Sequence, residues 1–341
     1  MGTPGSEMPA GPERFLQGEK NVNLNGSVGK SAVIGGVAAA VVLMAAVAGA
    51  QDSGDILIGD GVSIHPESIA STPDGGLIIG SVAGPNVYRW SPGDATAELW
   101  ITIDEVVEGG IVLGVFAHGD TAWVCADGPF GSGIGVLASY SLDSGALISS
   151  NALPDSGNGG GICNDIAVGP DGTVFVTETN GSGGGYVYAL TTNEDGETGL
   201  TMIVGGASMS GADGIAFIGD TMYVNDVSAG RLYRIEIDGT VLVSFDTLTL
   251  SQPVGGPDGM RTTEDGTGML LAENSNGRIS MITVDGDTAT VTSVAEGLRQ
   301  VTGVAQIGDT VYAVEAEFGR LFNPDAPDPG LFYVKVLPLG M

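Results

Sequence analysis

Basic side chains are scarce in this chain: 11 lysines and arginines stand against 41 aspartates and glutamates, a formal net charge of −30. Nucleic acid and anionic membrane surfaces both require cationic partners, so neither is a suitable target. Only two histidines occur, His65 and His118. That scarcity disfavours a quinone-dependent dehydrogenase, which wants a placed histidine base and basic groups around its cofactor. Cysteine is limited to Cys125 and Cys163. In an exported chain such a pair is compatible with one disulfide, and equally with two separate buried thiols. Aromatic residues make up 6% of the chain, and no long Leu/Ala/Glu/Lys-rich stretch follows residue 50, which argues against a helical domain. What is abundant is glycine, 58 residues, mixed with Thr, Val and Ile. This composition predicts short strands and tight turns, an all-β domain.

The first 50 residues differ from the rest. A polar stretch with Arg14, Lys20 and Lys30 precedes an apolar run over residues 32–50 that ends in Ala48-Gly49-Ala50. A basic flank, an apolar core and a small-x-small end predict a secretory signal cut after Ala50. The same run, at about 20 residues, is also long enough to remain as a membrane anchor. Either way the domain of residues 51–341 is expected outside the cytoplasm, secreted or periplasmic, or tethered through residues 32–50. That domain carries 38 acidic and 8 basic residues. The balance fits a salty external medium and fits simple solubility equally well.

Self-similarity organises residues 51–341. A four-residue opening recurs as ESIA at 67, LGVF at 113, NDIA at 164, DGIA at 213, DGMR at 258 and TGVA at 302, with spacings of 46, 51, 49, 45 and 44 residues. Each opening leads through a turn such as PDGT or IGDT into a β-rich run (GLIIGS, TAWVCA, TVFVTE, TMYVND, GMLLAE, TVYAVE), and third and fourth strands follow in most units. Six four-stranded units at this period predict a six-bladed β-propeller. Two β-sandwiches would not repeat one opening at a fixed period. The last unit lacks a fourth strand, and DILIGD at residues 55–60 is expected to supply it, closing the ring without a free sheet edge. The insertions PFGSGIG and FGRLFNPDAPDPG fall between second and third strands of the second and sixth units. They are expected to line one face of the disc.

In a propeller the first strand of every blade lines the central channel, so equivalent opening residues converge. Read vertically, the column is Glu67, Leu113, Asn164, Asp213, Asp258 and Thr302. Two unit charges about 4 Å apart repel by roughly 4 kcal/mol at an effective dielectric of 20. No lysine or arginine stands in the column, so protonation or a cation is needed to offset this. Carboxylate and amide oxygens without Cys or His are hard ligands, which suits Ca²⁺, with another divalent cation as the alternative. The plain alternative is that these residues cap blade turns, as Asp and Asn often do.

PESIA, CNDIAVGPDG, ADGIAF and PDGM resemble the metal-site segments of the senescence marker protein (regucalcin)/gluconolactonase family of six-bladed propellers, and NDIAVGPDGTVFVTET is similar to a paraoxonase segment. The resemblance covers roughly residues 55 to 341. It implies a catalytic divalent ion, usually calcium, held by Glu67, Asn164, Asp258 and, where the family usually has Asn, Asp213. That extra charge would tighten metal binding while weakening the metal as a Lewis acid. Paraoxonases place a histidine at the second blade's opening. Leu113 stands there, so their histidine-based mechanism is not supported.

A second column, at the ends of the second strands, comprises Ser81, Ala126, Glu178, Asp226, Glu273 and Glu315. These are expected on the same face, solvated, bonding turn amides or orienting metal ligands. Cys125 and Cys163 flank the two columns, so a disulfide there would brace the Asn164 loop. His65 is read as having a structural or solvent role with proton shuttling as the alternative, and His118 as a turn residue. Asp165 is left open between supporting a ligand and holding a second ion.

Metal-assisted hydrolysis of a small-molecule lactone or related ester follows as the leading function, with Asp258 as general base and Glu67, Asn164 and Asp213 as positioning ligands. The alternative is an exported, non-enzymatic ligand- or protein-binding propeller with a structural calcium.

Overall fold

The computed structural model describes residues 54–155, 160–180 and 184–339. The leader expected over residues 1–50 lies outside the described residues. Six antiparallel units follow one another around a central channel. Their innermost strands are Pro66–Ser71, Ile111–His118, Ile162–Val168, Ala212–Ile218, Pro257–Thr262 and Val301–Ile307, here blades 1 to 6. Blade 3 shows the common plan, with Ile162–Val168, Val174–Asn180, Gly184–Thr192 and Thr198–Gly206 paired in sequence order. Tight turns with glycine at positive φ, such as Pro170-Asp171-Gly172, join the inner pair.

Blade 6 takes its outer strand from the start of the domain, as its missing fourth strand predicts. Ile56–Ile58 pairs antiparallel with Tyr333–Pro338, with Ile56 opposite Val334. It also runs parallel to Thr96–Thr102 of blade 1. Blades 1 and 6 therefore merge into one eight-stranded sheet. The ring is closed by backbone hydrogen bonds, and both edges at the seam are satisfied.

Second strands read as unbroken apolar runs because neighbouring blades cover both of their faces: Leu77–Ser81 and Met269–Glu273 are buried at every position. Outermost strands face water, and Val241–Thr247 has no buried residue. The cores accordingly lie between blades. Ile78 and Val87 of blade 1 pack with Val115, Val124 and Tyr140 of blade 2. Phe175 and Val187 of blade 3 pack with Ile215, Val224 and Tyr233 of blade 4. Each fully buried side chain of this size contributes about 1.5–3 kcal/mol.

Every innermost strand carries a one-residue register shift at its opening. In blade 3 Cys163 stands opposite Glu178, yet Ile166 stands opposite Val176. The same shift occurs at Pro66/Ile69, Val112/Val115, Ala212/Ile215, Pro257/Met260 and Val301/Gly303. A β-bulge leaves an extra residue off the ladder and re-aims its side chain. This is how a polar opening residue stands ahead of an otherwise apolar strand without losing the pairing of Ile166 or Ile215.

Candidate active site at the channel mouth

The opening residues form a ring in which each blade is tied to the next. The second residue of each opening decides how. Where it is glycine, backbones touch: a Cβ on Gly114 would lie 2.2 Å from the Asn164 carbonyl oxygen, and one on Gly214 would lie 2.4 Å from that of Asp258. No side chain fits such an approach. Where it is not glycine, a short polar side chain makes the link. Ser68 Oγ accepts the Val115 amide at 3.2 Å, and Asp165 Oδ2 accepts the Ile215 amide at 3.2 Å. Second-strand side chains add to the ring: Thr177 donates to the Asp213 carbonyl at 2.6 Å and Asn225 to the Asp258 carbonyl at 2.6 Å.

Glu67, Asn164, Asp213 and Asp258 are all buried at this ring, with Leu113 and Thr302 filling the other two positions. The Asn164 amide nitrogen donates to Asp213 Oδ2 at 3.0 Å and to Thr179 Oγ1 at 2.8 Å. Its two protons are thereby used, which leaves the amide oxygen free to act as a donor atom toward a cation. Asp258 Oδ1 accepts its neighbour's amide, Gly259 N, at 3.0 Å. Asp213 Oδ1 is buried with no hydrogen-bond partner.

These carboxyls feel one another. Burial pushes Glu67 well above the usual carboxylate range, with Asp213 and Asp165 adding to the rise and Arg261 opposing it. Burial, then Asp213 and Glu67, does the same to Asp258. Asp213 is pushed up to about 8, by burial first and Asp165 second. Among the described residues no three His, Cys, Asp or Glu side chains close into a ready metal cage. The ring is instead a set of buried oxygen donors with one orphaned carboxylate oxygen. Oxygen-only donors, an unpaired buried oxygen and carboxyls that resist ionisation fit a hard divalent cation.

One buried charged residue behind the site escapes a reading of the opening column. Arg261 is buried in the channel, its Nη1 2.7 Å from Asp165 Oδ2 and 2.9 Å from Oδ1. Its Nη2 donates to Ser68 Oγ at 3.3 Å and to the Val115 carbonyl at 3.0 Å, and its guanidinium lies 5.5 Å from the Phe116 ring centre. Arg261 and Asp165 thus link blades 1, 2, 3, 4 and 5. The signal was present: the fourth opening residues are Ala70, Phe116, Ala167, Ala216, Arg261 and Ala305, and an arginine among alanines needs an internal partner. Asp165, read as supporting a ligand or a second ion, is the counter-ion of Arg261.

The second column anchors loops. Glu273, fully buried, accepts from Gly255 N at 3.0 Å, Arg278 Nε at 2.8 Å and Ser280 Oγ at 2.5 Å. Asp226 accepts from Ser210 N at 2.7 Å, Ala229 N at 2.9 Å and the Tyr233 hydroxyl at 3.1 Å. In blade 2 this work falls one residue later, to Asp127, which accepts the Cys163 amide at 2.8 Å. Cys125 and Cys163 form a disulfide between blades 2 and 3, one residue before Asn164. His65 is buried, its Nδ1 2.8 Å from the Ala316 carbonyl oxygen and its ring 4.7 Å from that of Phe332. Of the structural and solvent roles expected for it, the packed one is what its surroundings give. His118 is exposed at a strand end.

The fold is shared with solved structures. A luciferin-regenerating enzyme is 18% identical, with a TM-score of 0.59 over 82% of this chain and 93% of its own. A calcium-binding protein, regucalcin, from Agrobacterium tumefaciens is 17% identical, with a TM-score of 0.57 over 84% of this chain and 97% of its own. A gluconolactonase from Xanthomonas campestris is 15% identical, with a TM-score of 0.56 over 81% and 87%. At such identities the likeness concerns the fold alone. A sequence comparison with curated proteins finds no match. The family model described as SMP-30/gluconolactonase/LRE-like region matches residues 65–311, which span all six openings. The chain belongs to this SMP-30/gluconolactonase/LRE-like family.

Proposed function

We propose that the protein is an exported hydrolase of a lactone or related ester that depends on a divalent cation, calcium by preference, at the channel mouth. Family membership supports a lactonase-type function and a small-molecule substrate. The observation that carries the finer reading is the ring of buried oxygen donors in which Asp213 Oδ1 has no partner. Glu67, Asn164, Asp213 and Asp258 would hold the cation. Bound there, it would polarise the substrate carbonyl and stabilise negative charge on its oxygen. Asn164 is fixed by Thr179 and Asp213, so its oxygen is presented in one orientation. Asp258 is held in the ring by the Gly259 amide, and beside a bound cation its carboxyl would be ionised, the form a general base needs. It takes a proton from the attacking water as the new C–O bond forms, then returns it to the ring oxygen as the acyl C–O bond breaks. The Cys125–Cys163 disulfide supports an oxidising, extracytoplasmic location.

A second reading, a ligand-binding propeller with a structural calcium, draws on Leu113 and Thr302, which bring no second acid or base to the ring. Lactone and aryl-ester turnover, assayed with calcium and after chelation, separates the two. Tight calcium binding and a raised melting temperature without turnover of any substrate favour the binder.

A further inference from the structure

The chain enters its openings by one plan. The side chain at the end of a blade's second strand holds the residue three positions before the opening residue of the same blade. Ser81 Oγ donates to the Ile64 carbonyl ahead of Glu67. Asp226 accepts the Ser210 amide at 2.7 Å ahead of Asp213, and Glu273 accepts the Gly255 amide at 3.0 Å ahead of Asp258. Glu315 accepts the Arg299 amide ahead of Thr302. In blade 3 Gly161 stands three residues before Asn164, and a Cβ on it would lie 2.1 Å from Glu178 Oε1. All of these second-strand side chains are buried.

A backbone bond follows one residue further on. The amides of Val82, Val227, Asn274 and Ala316 donate to the carbonyls of His65, Gly211, Gly256 and Gln300 at 3.1, 2.9, 2.8 and 3.1 Å. His65, Gly256 and Gln300 have positive φ, at 45, 57 and 50. Glycine adopts that backbone freely. For His65 and Gln300 it costs about 1–3 kcal/mol and persists only where the surroundings over-determine it. The paired side-chain and backbone bonds supply that constraint.

Blade 2, whose opening residue Leu113 is no donor, departs from the plan. Ala126 has no polar side-chain atom to offer, and the neighbouring Asp127 instead holds the Cys163 amide of blade 3, one residue before Asn164.

We infer, on the cation reading of the ring, that Ser81, Asp226 and Glu273 are positioning residues for Glu67, Asp213 and Asp258. Each fixes the backbone three residues ahead of its donor, and the strand ladder that resumes at Ile69, Ile215 or Met260 fixes it behind. The bulged donor between them has little freedom left, so its oxygens are held where a cation can meet them together.

Calorimetry of calcium binding to Ser81→Ala, Asp226→Asn, Glu273→Gln and Glu315→Gln tests this, with the melting temperature of each read in chelator. Glu315→Gln is the comparison: it loosens the same kind of clamp and removes the same charge, in a blade whose opening residue, Thr302, is not assigned to the cation. All four variants are expected to melt lower. Calcium affinity is expected to fall about 10-fold or more in the first three and to hold in Glu315→Gln. Ser81→Ala alters no charge and removes only a hydroxyl, so it separates positioning from the electrostatic field and serves if a carboxylate variant does not fold. Unchanged affinity in Ser81→Ala, or an equal loss in Glu315→Gln, overturns the inference and leaves the cation reading standing. If the unaltered protein binds no calcium, the cation reading fails and amide hydrogen exchange decides the clamp. Faster exchange confined to Asp213 and Gly214 in Asp226→Asn, and to Asp258 and Gly259 in Glu273→Gln, sustains it. Exchange that is unchanged, or faster throughout the molecule, overturns it.

Discussion

Arg261 of blade 5 reaches across the channel to Asp165 of blade 3, its Nη1 2.7 Å from Oδ2, with both side chains buried. The pair lies directly behind the donor ring, since Asp165 follows Asn164 in the chain. Removing one partner strands a buried charge, which typically costs about 3–5 kcal/mol. Arg261→Met and Asp165→Asn are each expected to lose stability on that scale in urea unfolding. The double variant is expected to lose clearly less than the sum, because neither charge is then left alone. Additive losses would show that the two do not act as a pair.

Stability of the chelated protein is expected to fall as pH rises. Glu67, Asp127, Asp213 and Asp258 all hold their protons more tightly folded than free, chiefly through burial. The folded state therefore binds more protons than the unfolded state above the ordinary carboxylate range, and the slope of unfolding free energy against pH is negative there. For Asp213 the window closes at about 8. Melting temperature in chelator is expected to be higher at pH 5 than at pH 8, and calcium is expected to restore it at pH 8.

The disulfide spans 38 residues, for which the chain-entropy estimate is about 4 kcal/mol. Cys125→Ser/Cys163→Ser is expected to lose stability of that order. Because Cys163 precedes Asn164, calcium affinity is expected to weaken as well, which calorimetry on the folded variant reads directly.

Gly214→Ala probes the ring's geometry. Its new Cβ would lie 2.4 Å from the Asp258 carbonyl oxygen and 2.5 Å from Asn225 Nδ2, so blades 4 and 5 must part at the mouth. A loss of about 1–3 kcal/mol is expected, together with weaker calcium binding. Ala at Gly219, where no atom lies within 4 Å, gives a comparison far from the ring, its own cost coming from the backbone at φ 58.

The blade plan was legible because each blade repeats one amphipathic solution at a fixed period. The seam strand was legible because blade 6 visibly lacked a partner for Tyr333–Pro338. The donor ring followed from aligning Glu67, Asn164, Asp213 and Asp258. What the alignment hid was the geometry between columns. The bulge that re-aims Asn164 depends on its partner strand, and Arg261 reads as a strand residue until its sisters Ala70 and Ala167 are set beside it. Asp127 escaped because it stands one residue past Ala126, out of register with Glu178 and Asp226. The Phe130–Phe322 contact joins two loops with no local signal that they meet.

Lactone hydrolysis by Asp258→Asn and by the unaltered protein, each with calcium and after chelation, tests the proposed chemistry most directly. Turnover abolished by chelation, restored by calcium and reduced at least about 100-fold in Asp258→Asn is the expected result. Undiminished turnover in chelator, or in Asp258→Asn, would contradict it.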